Sequence, residues 1–486
     1  MFPSSLFRIQ NTPLYRKAVV GSRSLSSCNT NKTRLGLTPT LRNIIETEAT
    51  GTEVTISGWI KSVRVQKRIA FAEVSDGSTL RGIQIIMNDP QIAAGLSTGC
   101  SVEIKGILAS SPGREQSKEI QANSIYIIGN ADPETYPLQK KRHSMEFLRE
   151  IGNIRPRSQT ISAVTRLRDR AETGLHKFFH ENEFVRIHTP AITANDCEGG
   201  GEAFQLATPG SKIPESDFFG RKVNLTVSGQ LHLEVYANAF KRVYNFNQSF
   251  RAEPSQTGRH LSEFWMVEAE CAFVRKLALL LEVEEQMIRS TTQYLVDNAG
   301  SDLEFFSQKN EPLAKLVQRL TDRKPYAQIT YTEAIDILQN ADPLQKFAFK
   351  PEWGQGLQSE HERYLAAKHF DGPVFVTDYP AEIKPFYMLP NPDGKTVACM
   401  DLLVPGPCEL LGGSLREHNL ERLQTSIKAH GIDENSLDWY TSLRRYGTTP
   451  HGGFGMGFER YIQMVTGLEN IRDIIPFPRY AGKCLC

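Results

Sequence analysis

The chain has 486 residues, 56 Lys and Arg against 55 Asp and Glu, and two-fifths hydrophobic residues. That length exceeds one hydrophobic core, so two or three domains are expected, and a net charge of +1 excludes gripping nucleic acid by overall charge. No 20-residue apolar run occurs, which argues against a membrane span, and eight scattered cysteines without paired CxxC spacing imply reduced thiols and no structural zinc.

Residues 1–45 stand apart. They carry seven basic residues (Arg8, Arg16, Lys17, Arg23, Lys32, Arg34, Arg42), many serines and no acid. This is the composition of a transit peptide, mitochondrial or plastid; the alternative is a disordered basic arm that holds RNA. The remaining chain has 49 basic and 55 acidic residues, so an RNA partner must be held by local patches.

Residues 46–130 read as five strands, with Asp76-Gly77 marking a hairpin turn. Five such strands suit an OB barrel, a common reader of single-stranded nucleic acid. Lys61, Arg64, Lys67 and Arg68 cluster just before Phe71, a pattern for phosphate contact beside base stacking; a solvated loop next to a core phenylalanine reads equally well. Trp59 is expected in the core.

Residues 131–160, rich in Pro and basic side chains, read as a linker. From about residue 161 to the end the chain alternates helices and strands in an α+β pattern. Val164, Leu167, Ala171, Leu175 and Phe178 recur at helical spacing, and a strand follows that ends at Thr189-Pro190. Residues 243–251 alternate like a strand, with aromatics on one face and polar groups plus Arg251 on the other. A loop and a returning strand from Phe264 would complete a hairpin that places Arg251, Glu253 and Arg259 together. Residues 297–328 read as a polar helical insertion on the surface. Asp401 and Glu409 precede the run Gly412-Gly413-Ser414-Leu415-Arg416, and Gly453-Phe454-Gly455-Met456-Gly457 leads into Phe458-Glu459-Arg460. No GxxxxGK[ST] loop is present, which disfavours a P-loop ATPase.

Phe250-Arg251-Ala252-Glu253 with Arg259-His260, followed some two hundred residues later by Gly455-Met456-Gly457-Phe458-Glu459-Arg460, resembles the second and third motifs of class II aminoacyl-tRNA synthetases. The helix–strand–proline unit ending at Pro190 resembles their first motif, which builds a homodimer. The resemblance implies a catalytic domain over 161–486 with a large antiparallel sheet flanked by helices, ATP as substrate and Mg²⁺. Arg251 would bridge the α-phosphate and the substrate carboxylate, and Arg259 and His260 would reach the distal phosphates. Phe264 and Arg460 would enclose adenine, while Glu409 and, less well, Asp401 would hold Mg²⁺. Glu253 belongs to the same catalytic set.

Residues 46–486 are further similar to the asparaginyl-tRNA synthetase family. The stretches carrying this are Thr135-Tyr136-Pro137-Leu138, residues 193–204 around Glu198-Gly199-Gly200-Gly201-Glu202, Ser228-Gly229-Gln230-Leu231, and residues 378–387. That likeness implies L-asparagine and tRNA(Asn) as substrates. Glu198 and Gln230 would hold the α-amino group, Arg416 the side-chain carbonyl oxygen, and Glu234 the amide nitrogen. Arg64, Phe71 and Gln84 would read the central anticodon base. With the leader, the implied address is the mitochondrial matrix. An aspartyl enzyme, or one accepting both acids, is the alternative. An asparagine synthetase on the same fold lacks the barrel, and a non-catalytic paralogue tends to lose Arg251, Arg460 or Glu409.

Overall fold

The computed structural model describes residues 36–113, 116–194, 203–208 and 218–485. The chain divides into two compact units, one up to Asn130 and one from Ala131.

The first unit opens with helix α1 (Leu41–Thr47), capped by the Thr40 hydroxyl, which accepts from the Asn43 N–H at 3.2 Å. Strands β1 (Glu53–Val65), β2 (Ala70–Ser75), β3 (Ile83–Met87), β4 (Ser101–Ser110) and β5 (Lys118–Gly129) close a barrel in the order β1-β2-β3-β5-β4. Every second side chain points inward: Ile56 and Ile60, Ala70, Ala72 and Val74, Ile83, Ile85 and Met87 are all buried. Each large aliphatic chain so buried stabilises the barrel by about 1.5–3 kcal/mol. Trp59 departs from expectation. It is 40% exposed, because Gly58 and Ile60 take the inward positions on either side of it. A Cβ on Gly58 would lie 2.8 Å from Val74 Cγ1, so that inward slot admits only glycine and the register turns Trp59 outward.

The second unit contains helices α2 (Met145–Glu150), α3 (Gln159–Glu181), α4 (Gln230–Ala237), α5 (Leu277–Ser307), α6 (Glu311–Thr321), α7 (Tyr331–Gln345), α8 (Ser359–Arg363), α9 (Leu420–Ala429), α10 (Asp438–Thr441) and α11 (Phe458–Thr466). Its strands are β6 (Val185–Arg186), β7 (Ile192–Thr193), β8 (Gln205–Leu206), β9 (Val223–Leu225), β10 (Arg242–Phe250), β11 (Glu263–Ala272), β12 (Ala327–Thr330), β13 (Val374–Thr377), β14 (Cys399–Val404), β15 (Cys408–Leu415) and β16 (His451–Gly457). The main sheet runs β12-β13-β14-β15-β16-β11-β10-β6. It is mixed rather than purely antiparallel. The six strands from β13 to β10 are antiparallel, but β12 joins β13 and β6 joins β10 in parallel. Both edges are reached through helix-containing crossovers, which return a strand in the same direction as its neighbour.

Helices α3, α5, α6 and α11 share the main core with the sheet. Residues 297–328 are part of that core, not a surface insertion. Ala299, Leu303, Leu316 and Leu320 are buried in it, and Leu313, Leu316, Val317 and Leu320 line one face of α6. Residues 145–157, read above as linker, are docked as well. Arg149 pairs with Asp473 at 2.7 Å, and fully buried Arg155 donates to the carbonyls of Ile475 and Pro476 at 2.6 and 3.0 Å.

Candidate active site

The β10–β11 hairpin sets out the cationic half of the site. Arg251 follows β10 directly, with its N–H on the Ser262 carbonyl at 3.0 Å, and its guanidinium lies 5.6 Å from the Phe264 ring centroid. Phe264 packs against a small cluster of Leu261, Ile471 and Ile475. In the connecting loop, His260 Nε2 lies 3.1 Å from Glu253, while its Nδ1 meets Ser255 and Thr257 hydroxyls at 2.9 and 2.8 Å. Arg259 donates to the Pro407 carbonyl at 3.0 Å, tying the loop to the β14–β15 turn.

The glycine strand β16 lies between β11 and β15, with Met266 opposite Gly457. It delivers Arg460, in the first turn of α11, to the end of the sheet where Glu263 and Phe264 begin β11. Arg460 donates to the Glu409 carbonyl at 2.7 Å and lies 3.4 Å from its carboxylate. Desolvation raises the Glu409 carboxyl, but the attraction of Arg460, then Lys384 and Arg251, wins and holds it below the ordinary range. Arg251 and Arg460 therefore act on one carboxylate, although 209 positions of sequence separate them.

Asp401 sits beside Glu409 and is paired with Lys384 at 2.8 Å; Lys384 in turn lies 3.9 Å above the Tyr379 ring. Burial, opposed by Lys384 and reinforced by the Glu409 charge, pushes the Asp401 carboxyl up. Burial and the charges of Glu409 and Asp401 push Glu362 on α8 up to about 7. The three carboxylates thus repel one another, and Lys384, Arg251 and Arg460 offset that repulsion. Among the described residues no group of three or more His, Cys, Asp or Glu has metal-holding geometry. Two oxygens do form a cradle: Asp401 Oδ1 and Glu409 Oε1 lie 2.9 and 3.5 Å from where a Cβ on Gly412 would stand. A pair of carboxylate oxygens fits a hard divalent cation that keeps waters and takes further oxygens from a nucleotide.

The second half of the site is organised by Glu268 on β11. Its carboxylate accepts from the Gly229 N–H at 2.9 Å, from the Ser228 hydroxyl and from Asn245 Nδ2 at 2.8 Å, fixing the start of α4. A Cβ on Gly229 would stand 2.4 Å from Asn245 Nδ2 and 2.5 Å from Thr189 Oγ1, so the approach needs glycine. Gln230 is the first residue of α4, and its Nε2 donates to Glu234 Oε1 at 3.2 Å. Glu234 is fully buried, and its Oε2 accepts from Tyr440, Arg444 and His451. Arg416 donates to Ser414 Oγ at 2.8 Å, is ion-paired with Glu270 and lies 5.2 Å from the Tyr387 ring centroid. Any ligand oxygen reaching Arg416 must share a guanidinium already engaged. Burial raises Glu270 to about 7, against the pull of Arg416 and with the push of the Glu234 charge. Glu198 lies outside the described residues.

On the barrel, Arg64 pairs with Phe71, Phe71 with Ile86, and the next row joins Glu73 to Gln84. Phe71, Glu73, Gln84 and Ile86 all alternate with buried neighbours, so Phe71 lies on the outer face, half-buried, beside exposed Arg64.

Two family models match: tRNA synthetases class II (D, K and N) over residues 145–481, and an OB-fold nucleic acid binding domain over residues 54–128. The chain is 50% identical over 441 residues to an asparagine–tRNA ligase of Desulfotalea psychrophila, covering 89% of this chain and 96% of that one. The chain belongs to the asparagine–tRNA ligase family. A second relative, from Thermosynechococcus vestitus, is 46% identical over 458 residues, with 91% and 98% of the two chains covered. Among solved structures, asparaginyl-tRNA synthetase from Pyrococcus horikoshii complexed with asparaginyl-adenylate superposes with a TM-score of 0.81 at 28% identity, over 92% of this chain and 99% of that one.

Several residues of this asparagine–tRNA ligase fold's site escaped the reading of the sequence: Glu268, Glu270, Glu362, Lys384, Tyr440, Arg444 and, as a side chain with a task, His451. For Glu268 and Glu270 a signal existed. Two carboxylates at i and i+2 in an otherwise apolar strand must share one face and need partners there. Tyr440 and Arg444 carry no such local mark.

Proposed function

We infer that this chain activates L-asparagine with ATP and transfers it to tRNA(Asn). The observation that carries the reading is that Arg460 pairs with Glu409 and Arg251 acts on the same carboxylate, beside a helix, α4, that carries Gln230 and Glu234 and a strand, β15, that leads into Arg416. In the first step the asparagine α-carboxylate attacks the α-phosphate in line, forming a mixed anhydride as pyrophosphate leaves. In the second, a ribose hydroxyl of the 3′-terminal adenosine attacks the anhydride carbonyl, and AMP leaves.

Both reactants of the first step are anions, so fixed positive charge is what lowers the barrier. Arg251 offsets the approaching carboxylate and the α-phosphate together, with a fork suited to two oxygens. Arg259 and His260 face the distal phosphates, and Glu253 orients His260. Phe264 and Arg460 take the two faces of adenine. Gln230 and Glu198 hold the α-amino group, Arg416 the side-chain carbonyl, and Glu234 the amide NH₂. Asp401 and Glu409 would hold Mg²⁺, which supplies charge neutralisation for the phosphates when bound.

The test is ATP–pyrophosphate exchange on the full chain with all twenty amino acids, followed by charging of tRNA(Asn). Exchange with asparagine alone is expected; exchange driven by another amino acid, or none, overturns the reading.

Two further proposals accompany it. A homodimer through α3, β6 and Pro190 is supported by the short parallel edge strand and by exposed Val185 and Ile192, 42% each; light scattering of Val185→Asp against the parent reads it. Delivery to the mitochondrial matrix is supported by the acid-free basic leader, and import of a reporter fused to residues 1–45 tests it.

A further inference from the structure

Glu234 presents its two oxygens unequally. Oε2 accepts three hydrogen bonds, from the Tyr440 hydroxyl at 2.8 Å, Arg444 Nη2 at 2.9 Å and His451 Nε2 at 2.8 Å. Among the described residues Oε1 meets only Gln230 Nε2, at 3.2 Å, on the side of the proposed amino-acid site. The three donors also brace one another. Arg444 Nη2 donates to the Tyr440 oxygen at 2.8 Å, and its guanidinium lies 4.2 Å from that ring's centroid. Arg444 Nε donates to the Glu417 carbonyl at 3.1 Å. His451 Nδ1 lies 2.8 Å from the Thr449 carbonyl, which holds the ring in place.

We propose that Tyr440, Arg444 and His451 are positioning residues for amino-acid specificity, which hold Glu234 as an anion with Oε1 turned toward the substrate side chain. This rests on the asparagine-binding reading above. An ionised Oε1 accepts from an amide NH₂ and repels a carboxylate, whereas a protonated carboxyl could donate to aspartate and admit it. Shape cannot make that distinction, because the two substrates are near-isosteric. The charge state of Glu234 is therefore the discriminating property, and it is held against burial. Desolvation alone would raise this carboxyl; Arg444, then His451 and Arg416, bring it well below the usual carboxylate range.

The groups facing Glu234 come from every surrounding element: Gln230 from its own helix, Glu270 from β11, Arg416 after β15, Tyr440 from α10, Arg444 from the turn Ser442–Arg444, and His451 from β16. Burial opposes the anion most, the Glu234 and Glu270 charges repel each other, and Arg416 is paired with Glu270. Losing a donor on Oε2 thus weakens the hold on the anion without touching Oε1.

The experiment compares the full chain with Tyr440→Phe, Arg444→Met, Arg444→Lys and Glu234→Gln. It reads KM for asparagine and the inhibition constant of aspartate in pyrophosphate exchange at pH 6 and 8, together with thermal stability. Discrimination is expected to fall about tenfold in Tyr440→Phe, which removes one charge-assisted bond. It should fall about a hundredfold in Arg444→Met, with part restored by Arg444→Lys. In the Phe and Met variants aspartate should bind more tightly at pH 6 than at pH 8. If Arg444→Met does not fold, Tyr440→Phe and Arg444→Lys carry the test. If those two lose stability yet keep the parent's discrimination at both pH values, while Glu234→Gln loses it, the positioning role is overturned and the asparagine reading stands. If Glu234→Gln itself keeps full discrimination, the acceptor role of Glu234 falls, and this inference with it.

Discussion

Arg251 ends one strand and Arg460 begins a helix after another, yet both draw the Glu409 carboxyl below its ordinary range. Opposed anions can meet only where such charge is already in place, because reorganising solvent to supply it is the cost that a preorganised site avoids. Arg251→Ala should therefore lower kcat for asparagine-dependent pyrophosphate exchange by about 10²–10³-fold, the usual loss for one preorganised donor. Near-normal exchange in that variant removes Arg251 from the chemistry. A second residue makes a different demand. Glu284 on α5 is buried, neither carboxylate oxygen has a hydrogen-bond partner among the described residues, and burial, then the Asp401 charge, raises its carboxyl well above the ordinary value. A group whose folded value is raised contributes most below its unfolded value near 4.5 and loses that contribution as pH rises toward the folded value. Glu284→Gln should accordingly gain stability relative to the parent as pH goes from 5 to 8, by up to about 1.4 kcal/mol per pH unit while the folded carboxyl stays protonated. Denaturant titrations at several pH values would show a widening gap; a constant gap argues that Glu284 is ionised and satisfied.

At the scale of elements, much of the architecture was written locally. The alternation of β10 and the helical spacing of α3 are short-range patterns, and each fixes one face of its element. The Glu234 network is not short-range. Its partners Tyr440, Arg444 and His451 lie 206, 210 and 217 positions along the chain, so no short window of sequence contains both ends of these three bonds. The misreading of residues 297–328 has another cause. Charged side chains on the outer face of α6 hid the apolar row Leu313, Leu316, Val317 and Leu320, which follows helical spacing and enters the core. Trp59 failed because hydrophobicity was weighed ahead of register. Local and distant information meet at the start of α4, where Gly229 is pressed against Asn245, Thr189 and Glu268. Gly229→Ala should push Gln230 out of place, raising KM for asparagine at least about tenfold, and the overpacking should cost about 1–3 kcal/mol of stability. An unchanged KM with the expected stability loss would separate the α4 terminus from substrate binding.

At the scale of the whole molecule, the chemistry and the proposed RNA reading belong to different compact units. Arg251, Glu409, Arg460, Gln230 and Glu234 all lie beyond Ala131, while Arg64, Phe71 and Gln84 share the outer face of the barrel before it. None of the residues proposed for adenylate formation lies in the barrel, so a change confined to that face should divide the two steps. Phe71 sits in the row between Arg64 and Ile86, half-buried on the outer face. Stacking of a base on an aromatic side chain is worth about 1–3 kcal/mol, which corresponds to roughly 5–150-fold in affinity. Phe71→Ala should raise KM for tRNA within that range and leave asparagine-dependent pyrophosphate exchange at the parent's rate. A barrel that merely unfolded would also raise KM, so the variant's β-rich circular dichroism and its cooperative melting must be retained for the result to count. Should KM for tRNA stay unchanged in a folded variant, the ring serves the packing of β1, β2 and β3, and the RNA contact lies elsewhere on the barrel.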